Sequence, residues 1–194
     1  AILFSGQKGS ANLSLSLAFS TYINCEQKSE IDSCGECSSC IKMDKLIHPD
    51  LNFVFPVAPT PKINKEVISD KFIESWRSSV IESPYLSIDD WFEIYGFENK
   101  QPNISKDEVR NLIKKLTLKP FESNFKINIL WLPEFLHLST SNAMLKVLEK
   151  PPGNTLFFLV TNNDQKLIST IKSRVQNFKV KRFSDSEMKK YLST

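Results

Sequence analysis

Five short, mostly apolar runs, set apart by segments with helical spacing, constrain this chain more than any other feature. They are AILFSG at 1–6, LNFVFPV at 51–57, KINILWL at 126–132, TLFFLVTNN at 155–163 and VQNFKV at 175–180. Runs this short and this apolar read as strands buried on both sides. After the first, ANLSLSLAFSTYINC places Leu13, Leu17, Ala18, Tyr22 and Ile23 at helical spacing. IKMDKLIHPD, KFIESWRSSVIES, SIDDWFEIYGF and QKLISTIKSR read as further helices, as does STSNAMLKVLEKPP, which Pro151-Pro152 stops. DEVRNLIKKLTLKP follows Ser105 as N-cap, with Glu108 three residues later completing a capping box. Strands alternating with helices predict an α/β fold: a parallel sheet with helices on both faces, in three layers.

The chain has 194 residues, room for one sizeable domain. A net charge of +3 is too small to argue nucleic-acid binding, and no apolar stretch approaches the roughly 20 residues of a membrane span. The N-terminus has no secretion signal. Ala1 begins inside what reads as a strand, and SDSEMKKYLST reads as a helix cut short, so the chain is expected to be a fragment of a longer cytoplasmic protein. Residues 1–182 form the expected core and 183–194 the start of a truncated lid. Residues 58–104 read as an insertion, with APTPK a proline-rich loop and Phe72, Trp76, Tyr85, Trp91, Phe92, Tyr95 and Phe97 as either local core or an exposed partner surface.

All four cysteines fall in one window, Cys25, Cys34, Cys37 and Cys40, spaced C-x8-C-x2-C-x2-C. Two interlocked CxxC steps bring thiolates close enough to grip one tetrahedral ion. Structural zinc is the favoured reading; disulfide or redox use are the alternatives. Four thiolates would leave no coordination position for water, so the site would be a staple at 25–40 and not a catalyst.

GQKGSANLS, directly behind the first strand, stands where a phosphate-binding loop would stand. Gly6 opens the pattern and Gly9 follows, but the closing Gly-Lys-Ser/Thr is replaced by Ala11, Asn12 and Leu13. Asn12 has no charge for a β- or γ-phosphate, and Leu13 has no hydroxyl for magnesium. Lys8 lies in the loop instead. The bland alternative is an ordinary strand–helix turn.

Taken in order, the degenerate loop, the helix ending at Cys25, CGECSSC, HPDLNFVFPV, NAMLKVLEKPP and STIKSR resemble the delta-prime family of bacterial DNA polymerase III clamp-loader subunits, from residue 1 to about 182. The resemblance implies an AAA+ module of P-loop type with a small zinc-binding insertion, in a pentamer that opens a sliding clamp and closes it around primed DNA. It implies delta and gamma/tau-type subunits as neighbours and no ATP hydrolysis by this subunit. Counting along KINIL puts the family's magnesium-holding and water-polarising carboxylates at Trp131 and Leu132, with Glu134 beyond Pro133 expected to point elsewhere. Asn162 takes the place of a phosphate-sensing residue. Arg174, in Ser173-Arg174-Val175, takes the place of an arginine that reaches the neighbour's ATP; the alternative is a solvated arginine at a helix end.

Two rival readings stay open: a weak AAA+ ATPase using Lys8 and Glu134, or a nucleotide sensor in which Asn12 and Asn162 still hold nucleotide, and a zinc-dependent nucleic-acid module. Glu30, Asp32, Glu36 and Asp44 around the cysteines argue against the second. Lys114, Lys115, Lys119 and Lys126 read as a solvated face, and His48 and His137 as isolated.

Overall fold

The computed structural model describes residues 1–97, 100–137 and 140–193. Glu98 and Asn99 in the insertion, Leu138, Ser139 at the head of a segment read as helix, and Thr194 lie outside the described residues.

Five parallel strands form one sheet: β1 (Ile2–Ser5), β2 (Leu51–Val54), β3 (Lys126–Trp131), β4 (Thr155–Thr161) and β5 (Gln176–Lys179). Their order is β2-β3-β4-β1-β5, so β1 sits between β4 and the exposed edge strand β5. The helices are α1 (Asn12–Asn24), α2 (Ser38–Asp44), α3 (Ile73–Glu82), α4 (Ile88–Tyr95), α5 (Lys106–Leu116), α6 (Ser141–Glu149), α7 (Ser169–Lys172) and α8 (Asp185–Leu192). Successive strand residues point to opposite faces, and the core divides accordingly. Phe4, Phe53, Ile129, Phe158 and Val160 pack with Leu13, Met43, Trp76 and Trp91 on one face. Leu3, Val54, Leu130, Phe157 and Leu159 pack with Leu112, Met144, Leu148 and Ile171 on the other. These are the three layers the alternation predicts.

Helix α1 departs from its predicted face. Asn12, Leu13, Ser16, Ser20 and Asn24 are buried, whereas Ala18 is exposed. The Ser16 and Ser20 hydroxyls donate to the carbonyls of Leu13 and Ser16, both at 2.7 Å. Polar groups satisfied within the helix can face the sheet without an unpaired-donor penalty, and small side chains let the helix approach closely.

The ends of the 58–104 region meet: Val57 and Asn103 exchange backbone hydrogen bonds of 3.2 and 3.1 Å. Its aromatic residues are core, with Trp76 stacked on Phe55 at 4.8 Å and Trp91 Nε1 donating to the Pro56 carbonyl at 3.0 Å; Tyr85 alone among the seven is largely exposed. Lys126 is buried, not solvated: its ammonium donates to the Lys115 and Leu118 carbonyls at the end of α5.

The capping box is only half made. Ser105 accepts from the Glu108 N–H, but the Glu108 carboxyl turns inward to Ser69 of the 58–104 region. The Ser69 hydroxyl lies 2.7 Å from Glu108 Oε1 and 3.1 Å from the Phe53 carbonyl. One hydroxyl proton serves one of these fully; when it goes to Phe53, Oε1 must carry its own. Burial agrees, pushing Glu108 from 4.5 up to about 7 against the Ser69 donors. Because the folded pKa is raised, the folded state holds its proton longer. Stability should therefore fall as pH rises from about 4.5 to about 7 and level off above, by on the order of 3 kcal/mol for this group. Urea titrations across that window should show a shallower fall for Glu108→Gln, whose amide copies the protonated acid; an unchanged slope would contradict this.

Candidate functional site

The glycine loop is closed on itself. The Gly6 N–H donates to the Thr161 carbonyl at 3.1 Å, fixing the loop's start above the end of β4. The Ser10 N–H and hydroxyl both donate to the Gln7 carbonyl, at 2.9 and 2.7 Å, closing a turn in which Gly9 takes φ +82°. A Cβ at Gly6 would lie 2.0 Å from Ser10 Oγ, so the serine fills the space beneath the loop. Lys8 points outward and pairs with Asp89, in the first turn of α4, at 2.8 Å. Ala11, at the N-cap, offers no side-chain cap.

Asn12 is buried at 4% exposure. Its amide donates to the Thr161 carbonyl at 2.8 Å and to Asn162 Oδ1 at 3.0 Å, and its oxygen accepts from the Leu13 N–H at 3.0 Å. Both donors and the acceptor are therefore occupied, and Asn162 offers its carbonyl oxygen to Asn12. Leu13 is core. Trp131 is buried with its ring 6.1 Å from Trp76, and Leu132 adopts left-handed φ +56° with its N–H on the Val160 carbonyl.

Glu134 contradicts its sequence reading. It does not point away: Oε2 accepts from the Thr161 hydroxyl at 2.9 Å, on the same residue whose carbonyl holds Asn12. The left-handed Leu132 turns the chain back after β3, and Pro133 starts the 3-10 turn Pro133–Phe135 that carries the carboxyl inward. Sequence spacing alone suggested departure because a proline normally ends an element. Burial pushes the Glu134 carboxyl up to about 7. The site thus has no cation in the first turn of α1, whose Ser14 hydroxyl donates to the Pro84 carbonyl at 3.4 Å, and Glu134 is the carboxyl that reaches Thr161. Above it opens a cleft of about 710 Å³ whose lining includes Gln7, Asn163, Gln165, Lys179, Lys181 and Arg182.

Arg174 follows α7. Its Nε donates to Glu149 at 3.3 Å, and Nη1 donates to the Thr170 carbonyl at 3.0 Å and to Ser173 Oγ at 3.4 Å. The structure does not join it to the glycine loop; it lies with α6 and α7.

The four cysteines converge, their sulfurs all within 4.8 Å of one another. Cys25–Cys34 and Cys34–Cys40 separations of 3.5 and 3.9 Å bracket the ~3.8 Å expected between thiolates around a tetrahedral ion with ~2.3 Å bonds. Backbone N–H groups of Cys34, Cys37 and Cys40 point at Cys25, Cys34 and Cys37 sulfurs, at 3.3, 3.3 and 3.4 Å. Burial opposes the Cys25 thiolate but is outweighed by N–H donors from Cys34 and Gln27, lowering its pKa; burial, with help from Cys37, pushes Cys40 up to about 12. These four can hold a metal ion. His48 takes no part: Nδ1 accepts from the Asp50 N–H, and Nε2 meets Ser123.

Replacing Asn12 by alanine would take the amide donor from Asn162 Oδ1 and leave the Thr161 carbonyl with the Gly6 N–H alone. Denaturant unfolding of Asn12→Ala should show about 1–3 kcal/mol lost, and a change below a few tenths would mean the amide is not a structural tie.

Residues 1–184 match the family model described as DNA polymerase III, delta subunit. The chain is 28% identical to DNA polymerase III subunit tau of Bacillus subtilis, over 95% of this chain and 25% of that protein. It is 28% identical to subunit delta' of Yersinia pestis, over 90% of this chain and 39% of the relative, and 26% identical to subunit delta' of Escherichia coli, over 90% and 40%. It thus spans at most two fifths of the length of these relatives. With its parallel sheet, glycine loop and cysteine window in the order that the family resemblance requires, the chain belongs to the DNA polymerase III delta-subunit family.

Proposed function

We propose that this chain is the AAA+ module of a non-catalytic clamp-loader subunit. It would assemble with delta and gamma/tau-type subunits in the cytoplasm and support ATP-driven loading of the sliding clamp onto primed DNA. The observation that carries this reading is Asn12: at the lysine position stands a buried amide with every hydrogen-bonding group engaged. A nucleotide phosphate there would meet no ammonium, and magnesium would meet Leu13. No helix among the described residues is long and apolar enough to cross a membrane.

Within the complex, Arg174 would act in trans on a neighbour's ATP. A guanidinium suits that task because it stays charged and offers a planar fork to phosphate oxygens. Zinc held by Cys25, Cys34, Cys37 and Cys40 would staple the segment between α1 and α2, and would supply folding energy with no catalytic chemistry.

A nucleotide sensor is the second reading, favoured by the cations of the cleft, Lys179, Lys181 and Arg182. Calorimetric titration of the full-length protein with ATP and magnesium separates the two. No heat of binding is expected; micromolar binding would favour the sensor. Elemental analysis of protein purified under reducing conditions should find about one zinc per chain, lost on Cys37→Ser or Cys40→Ser; metal-free folded protein would reject the staple.

A further inference from the structure

The guanidinium of Arg174 sits where two parts of the chain meet that sequence reading kept separate. Glu149 is the last residue of α6, and Pro151-Pro152 two residues later cannot continue the helix. Arg174 follows the short helix α7, with its N–H on the Ile171 carbonyl at 3.0 Å. The two helices are packed together: Leu148, beside Glu149, and Ile171 are both buried in the same cluster. Both ends of the contact therefore stand on fixed backbone.

The grip is one-sided. Glu149 Oε2 accepts from Nε, while the Thr170 carbonyl and Ser173 Oγ accept from Nη1. An arginine has five N–H donors in a rigid planar fork. Fixing Nε and Nη1 fixes the guanidinium plane, and these three contacts make no use of Nη2. With the arginine side chain about one third exposed, the edge carrying Nη2 can serve a ligand that arrives from outside the chain. An unheld arginine would have to give up side-chain entropy on meeting a phosphate; a held one has already done so.

We infer that Glu149 is a positioning residue for Arg174, aiming the free edge of the guanidinium at the triphosphate of a neighbouring subunit. The inference rests on the trans role proposed for Arg174. Glu149 touches no phosphate itself, since a carboxylate would repel one. Its work is to hold the arginine's orientation, and its negative charge is turned to the Nε side of the group.

The test is steady-state ATPase of the reconstituted loader containing the full-length chain as wild type, Arg174→Ala, Glu149→Ala, Glu149→Gln and the Arg174→Ala/Glu149→Ala double variant. Glu149→Ala should lower kcat between roughly two- and thirtyfold, the span of couplings between contacting residues. KM for ATP should hold, because orientation matters in the transition state. Glu149→Gln, which keeps an acceptor for Nε–H, should lose less than Glu149→Ala. Adding Glu149→Ala to Arg174→Ala should change nothing further, which a merely structural role would not produce. If Arg174→Ala lowers kcat and Glu149→Ala does not, the positioning role is wrong and the trans arginine stands. A rise in kcat for Glu149→Ala would mean the carboxylate restrains the arginine and would also overturn the inference. If Arg174→Ala itself has no effect, the underlying reading fails and the inference with it.

Discussion

The structure turns on the Asn12 amide that ties the first turn of α1 to the end of β4. Thr161 is completely buried and acts as a hub: its carbonyl accepts from both the Gly6 N–H and Asn12, and its hydroxyl donates to Glu134. Loop, helix start and carboxyl are joined through one residue. In a fold whose ligands bind beyond the carboxyl ends of parallel strands, this is the place where polar groups would be left free for a ligand. Here they face one another. A lysine in place of Asn12 would bring a charge into a buried position near Glu134, a carboxyl that burial already pushes toward its neutral form.

Much of this could be read from the residues. The five runs became the five strands because short apolar segments between helices have few other ways to bury both faces. The cysteine window formed a cluster because CxxC steps leave little freedom in where the sulfurs go. The loss of lysine and hydroxyl from the loop needed only the letters at 12 and 13. What resisted reading depended on contacts distant in sequence. The buried face of α1 follows serines that satisfy themselves internally, which a hydrophobic pattern does not register. Glu108 left its cap for Ser69, 39 residues away. Glu134 came back to Thr161 only because Leu132 takes a left-handed conformation, which nothing in the letter leucine announces.

The aromatic residues of the 58–104 region were ambiguous for a related reason. Trp76 and Trp91 find their partners in Phe53, Phe55 and Pro56, on and after β2, so these two rings extend the domain's core. The region's α4 also brings Asp89 to Lys8, which draws the loop's one lysine outward. The exposed pair adds little stability, but it places a carboxylate beside the outward-facing side of the loop.

The central claim is that this subunit handles no nucleotide of its own and instead completes a neighbour's site. Photo-crosslinking of an azido-ATP analogue to the assembled loader, followed by mapping the label to subunits, tests both halves together. The account predicts label on the ATPase subunits alone, none on this chain's Gly6–Leu13 loop, and slower turnover of the bound nucleotide when Arg174 is replaced by alanine. Label on the loop, with turnover indifferent to Arg174, would contradict it.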